Sequence, residues 1–165
     1  MATPKSDANK GSAPAKRKAV AKNKTPLAQR KKARTLVMQA LYQWQISKNE
    51  PLDIEKQFRE ENGGKIDWEY FGEIFLQIPK QQEALEQQIV PLLDREMKSL
   101  DPVERALLYL GAFELANRID IPYRVVINEC VELAKTFGAS ESHKYINGVL
   151  DKLAAALRPV ELAAK

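Results

Sequence analysis

From Leu27 onward, apolar residues recur every three or four positions, and no stretch sustains alternation at period two. Only a helix of 3.6 residues per turn gathers such positions on one face, so the chain is committed to helices packed on helices. Ala33, Val37, Ala40, Leu41 and Trp44 define the first such face, and Asn49-Glu50-Pro51 ends it. A short second helix around Leu52, Glu55 and Phe58 closes at Asn62-Gly63-Gly64. Asp67 is placed to cap a third, carrying Trp68, Phe71, Ile74, Phe75 and Ile78, and Pro79 starts or kinks the next, with Leu85, Ile89 and Leu92. Asp101-Pro102-Val103-Glu104 sets a cap, a first-turn proline and a box-closing glutamate in order, ahead of Leu107, Leu110, Gly111 and Glu114. Beyond Ile121-Pro122 come Val126, Cys130, Val131, Ala134 and Phe137, with Gly138 as a C-terminal cap. A last helix buries Ile146, Val149, Leu150 and Leu153 and stops at Pro159. The expectation is an all-α domain of six or seven helices over residues 27–165.

Residues 1–26 differ in kind. They hold Lys, Ala, Ser, Pro and Asn with one Val and no aromatic residue, too little apolar surface to offset the entropy of ordering. A disordered basic tail is expected there. Residues 1–34 carry 11 Lys/Arg against one acid, while the rest carry 15 against 21. An acidic body led by a basic segment suits a polyanionic partner met at one place, with nucleic acid favoured over an anionic membrane surface. The longest apolar run, Ala106 to Phe113, is eight residues, far below the roughly 20 needed to span a bilayer. The N-terminus has charge but no apolar segment after it, unlike a secretory signal. A cytoplasmic setting is expected, consistent with the single cysteine.

The residue types for catalysis are scarce. No phosphate-cradling glycine loop occurs, and His143 is the only histidine, so a His-based metal site or proton relay lacks companions. Cys130 lies on an apolar stripe and reads as a buried thiol, while Glu60-Glu61 reads as solvated charge. No cofactor and no enzymatic activity are expected. The segment "QRKKARTLVMQALYQWQ" (29–45) is different, because its charge runs straight into a helix. Arg30, Arg34, Met38 and Tyr42 are spaced by four and form one row, with Lys31 beside it. Cations for phosphates and a ring for unstacked bases, held on a core-anchored helix, predict a surface strip for RNA or another single-stranded nucleic acid.

Three further segments, "QALYQW" (39–44), "VVINECVELAKTFG" (125–138) and "SHKYINGVLDKL" (142–153), resemble the NusB family of bacterial transcription antitermination factors, and the capped "DPVERALLYLGAFEL" (101–115) is similarly spaced. The resemblance covers about residues 28–159. It implies two packed helical subdomains with neither catalysis nor cofactor. It further implies pairing with NusE, a small-subunit ribosomal protein, to bind single-stranded boxA RNA. Within the RNA polymerase antitermination complex that pairing favours read-through, notably in ribosomal RNA operons. The family's arginine-rich start of the first helix matches Arg30, Lys31, Lys32 and Arg34, and its RNA-contacting tyrosine matches Tyr42. At the last helix its acidic and aromatic RNA-proximal positions match Glu141 and Tyr145, with Lys144 between them for a phosphate. Glu104 matches a position the family turns toward NusE, although here it also closes a capping box.

Lysine stands at 31 and 32 where the family favours arginine; it neutralises phosphate but neither forks bidentately nor stacks. Two other readings share these residues. One is an RNA-binding accessory to ribosomal RNA modification, since related domains precede methyltransferases; a chain ending at Lys165 leaves no room for that enzyme, so the stand-alone factor is expected. The other is a protein–protein module or homodimer that covers residues 30–42.

Overall fold

The computed structural model describes residues 26–164, so the expected tail lies, apart from Pro26, outside the described residues. Its helices are α1 (Leu27–Ser47), α2 (Pro51–Glu61), α3 (Trp68–Lys80), α4 (Gln82–Ile89), α5 (Pro102–Asn117), α6 (Tyr123–Phe137), α7 (Ser142–Leu157) and α8 (Pro159–Ala163). Two single 3₁₀ turns, Val90–Leu92 and Met97–Ser99, lie between α4 and α5. No strand occurs among the described residues.

The boundaries follow local chemistry. Asp67 accepts the Tyr70 N–H at 3.1 Å to cap α3. At α5 the capping box is complete: Asp101 Oδ1 accepts the Glu104 N–H at 2.8 Å, and Glu104 Oε1 accepts the Asp101 N–H at 3.2 Å. Pro79 neither starts nor kinks a new helix but sits in the last turn of α3, which runs on to Lys80. Without an N–H it leaves one carbonyl of the preceding turn unbonded, and the helix breaks at Gln81. Pro159 ends α7 and also opens α8, a helix the apolar periodicity did not reveal, because a proline is tolerated at the first helical position. Gly138 caps α6 in extended conformation rather than left-handed. A Cβ there would come within 2.9 Å of the Ala134 carbonyl and 3.0 Å of Ser142 Cβ, so the tight passage into α7 is what requires glycine.

Helices α1, α2 and α3 pack on one another, α5, α6 and α7 form a second group with α4 against α5, and α1 lies against α5 to join the two. One continuous apolar core runs through both groups. Where α5 meets α7, a Cβ on Gly111 would approach the Leu150 methyls to 2.8 Å, so this glycine sets the spacing of that pair. In α2 the inward residues are Ile54 and Phe58, whereas Leu52 is 67% exposed. Arg158, buried behind α7, donates to the Leu115 carbonyl at 2.8 Å and the Glu114 and Arg118 carbonyls at 3.2 and 3.0 Å. It thereby satisfies the C-terminal end of α5 with a cation.

The seam between the groups holds charge. Arg34 on α1 and Glu114 on α5 are 4% and 0% exposed. Arg34 Nε and Nη2 donate to Glu114 Oε1 and Oε2 at 3.3 and 3.0 Å, a bidentate pair. Tyr70 of α3 also donates its hydroxyl to Glu114 Oε2, so three helices meet at one carboxylate. Burial works against the charge on Arg34, but attraction to Glu114 and their hydrogen bonds outweigh it and raise its pKa. Burial, then Glu114, raises Tyr70 as well, which keeps its hydroxyl a donor. The guanidinium groups of Arg30, Arg34 and Arg118 stand 5.0, 5.2 and 5.7 Å from the centre of the Tyr70 ring. This corrects the expected surface row: Arg34, and Met38 at 1% exposure, face inward.

Removing one member of a buried pair leaves the other charge uncompensated. Arg34→Ala should therefore lower stability by about 3–5 kcal/mol in urea denaturation. Lys32→Ala, on the exposed side of the same helix, should stay within about 0.5 kcal/mol.

Candidate nucleic-acid interface

Helix α1 opens without an acidic residue in its first turn and with no side-chain cap. Its N-terminal N–H groups and Arg30, Lys31 and Lys32 therefore add positive potential at one end, at some cost to the helix and to the advantage of an anion. Arg30 is 30% exposed, with its Nε 3.6 Å from Asp67 Oδ2. Lys31 is 61% exposed and donates to both oxygens of Glu129 on α6 at 3.1 Å. Lys32 is exposed and has no ion pair among the described residues. Arg34 is absent from this surface, consumed by Glu114.

Eleven residues, about 16 Å of helix, separate Lys31 from Tyr42 and return them to nearly the same side of α1. Tyr42 is 43% exposed and lines a shallow groove of about 320 Å³ with Met38, Gln39, Val103 and Phe137. Phe137 closes α6 and is 40% exposed. Its place on the α6 stripe predicts a core residue, but the helix ends there and leaves a second ring exposed beside Tyr42. Along this edge α1 faces α6, with Lys31 and Glu129 toward one end and Tyr42 and Phe137 toward the other.

The first turn of α5 links this edge to α7. Val103 lines the Tyr42 groove, and the neighbouring Glu104 accepts the Ser142 hydroxyl at 2.7 Å while holding its capping box. Both oxygens of Glu104 thus have internal work. One residue before Ser142, Glu141 is exposed and pairs with Lys144 at 3.0 Å. Tyr145 is half-buried, with its hydroxyl enclosed and its ring 4.2 Å from the Arg95 guanidinium. Arg95 lies in the connection between α4 and α5, where no periodicity or motif marked it. It is held by Asp94 at 2.7 Å, and that hydrogen bond holds the Asp94 carboxyl below its ordinary range.

Cys130 is fully buried, donates weakly to the Leu107 carbonyl at 3.7 Å, and has its pKa pushed up by burial, so it stays a thiol. Among the described residues no three His, Cys, Asp or Glu side chains converge as metal ligands, and no helix is long and apolar enough to cross a membrane.

Residues 31–155 match the model of the NusB family. The chain is 50% identical over 133 residues to the transcription antitermination protein NusB of Idiomarina loihiensis, covering 80% of this chain and 96% of that one. Its fold is similar to T. maritima NusB, with a TM-score of 0.73 and 29% identity over 86% of this chain and 99% of the other. It is also similar to a chain from a crystal structure of the antitermination factors NusB and NusE in complex with dsRNA, with a TM-score of 0.71 and 26% identity over 79% and 99%. On the extent of the family match and the identity to its curated relative, the chain belongs to the NusB family.

Proposed function

We propose that this chain is a non-enzymatic, cytoplasmic transcription antitermination factor that binds boxA RNA together with NusE and supports read-through by RNA polymerase, notably in ribosomal RNA operons. The observation that carries the reading is an edge of exposed cations and an exposed tyrosine on a helix locked into the core by the Arg34–Glu114 pair. Cations on such a backbone lose little conformational freedom when a ligand docks. The relatives named as antitermination proteins, and the similar chain solved with NusE and dsRNA, support the same class of partner.

In this reading Arg30, Lys31 and Lys32 neutralise phosphates, Tyr42 stacks on a base, and Arg34 positions the helix without touching RNA. Glu141, Lys144 and Tyr145 form the second edge, at the start of α7. Glu104 marks the end of α5 turned toward NusE while keeping its bonds to Asp101 and Ser142. An exposed ring serves unstacked bases better than paired ones, which favours single-stranded boxA over a duplex.

Arg30, Lys31 and Lys32 together should give a slope of log K against log salt of about −2 for single-stranded RNA, and Lys144 should bring it to about −3. Fluorescence anisotropy from 50 to 200 mM salt reads this directly, and a flat line would remove the phosphate contacts. Tyr42→Ala should weaken boxA RNA by about 1–3 kcal/mol and heparin far less. Equal losses on the two ligands would reduce Tyr42 to a packing residue.

A further inference from the structure

Glu129 is an acid set inside a candidate anion site. The buried residues of α6 are Tyr123, Val126, Ile127, Cys130, Leu133 and Ala134, and Glu129 stands off that stripe, its side chain 22% exposed. Its strongest contact is with Lys31, whose ammonium reaches both carboxylate oxygens at 3.1 Å. Its other cation, Arg34 at 3.7 Å, is already satisfied by Glu114. A pair with Lys31 61% exposed contributes little to folding, so its presence among the cations at one end of the edge calls for another reason.

A phosphate approaching Lys31 must either displace Glu129 or settle beside its negative charge, and both weaken the contact. Lys32, next in sequence and without an ion pair among the described residues, imposes no such toll. An RNA that also places a base on Tyr42, at the other end of the edge, recovers what Glu129 takes away; a bare polyanion does not. We infer that Glu129 is a specificity-determining residue: it tethers Lys31 and sets a threshold that phosphate charge alone does not meet. This rests on the RNA-binding reading and extends it to discrimination between RNAs.

The test compares the full chain with Glu129→Gln, which keeps the size of the side chain and removes its charge. Probes are boxA RNA, a scrambled RNA of equal length, and heparin. Glu129→Gln should bind heparin and scrambled RNA about two- to fivefold more tightly at low salt and boxA RNA with a smaller gain, so the selectivity ratio falls. On scrambled RNA its salt slope should steepen by about 0.7, toward the slope on boxA RNA, as Lys31 becomes available to a ligand that does not reach Tyr42. In a Lys31→Gln background the same change should do nothing. Glu129→Ala gives a second route to the same comparison should the glutamine variant fold poorly. If the unaltered chain binds RNA while loss of the Glu129 charge leaves heparin and scrambled RNA unchanged or weaker, the inference falls and RNA binding stands. An equal gain in the Lys31→Gln background also overturns it, because Glu129 would then act on the field as a whole. If the unaltered chain binds no RNA, both readings fall together.

Discussion

A single buried carboxylate organises this molecule. Glu114 receives two hydrogen bonds from Arg34 and one from Tyr70, which brings α5, α1 and α3 to one point inside a largely apolar interior. Desolvating a carboxylate and a guanidinium is expensive, and hydrophobic residues of equal volume would match or exceed the stability of the pair. A greasy seam, however, would let α1 slide or turn against α5. A bidentate fork tolerates neither, because rotating α1 by one residue would strand both charges. The position of every surface group on α1 follows from that fixed orientation.

Much of the fold was legible because helix starts and stops are written locally. The Asp101–Glu104 box, the Asp67 cap and the prolines at 51, 102 and 122 each act within a turn of themselves, so no knowledge of distant residues was needed. What escaped depends on packing across the chain. Arg34 shares a row with Arg30, which predicts a surface cation, yet Met38 in that row is apolar and Glu114 ends the longest apolar run. Those two details mark an inward-facing row and an acid in need of a partner, and they acquire meaning only together, 80 residues apart. On the exposed side, Lys31 and Tyr42 lie where the helical period placed them, and Lys32 and Lys144, which the family resemblance singled out, are exposed as well; Phe137 and Arg95 stand beside these residues through a helix end and a connection that carry no period.

The surface is also less positive than a count of its basic residues implies. Arg30 stands near Asp67, Lys31 against Glu129, Lys144 against Glu141, and Arg95 against Asp94. Alternating charge of this kind keeps the field short-ranged, so distant attraction is modest and contact geometry decides which ligand stays.

Glu104 shows how one side chain can make two regions answerable to each other. A capping box is ordinarily a private matter of the helix it begins. Here the second oxygen crosses to Ser142, so the first turn of α5 and the first turn of α7 share one carboxylate. The start of α5 is thereby tied by a hydrogen bond, and not by apolar packing alone, to the helix start that carries Glu141 and Lys144.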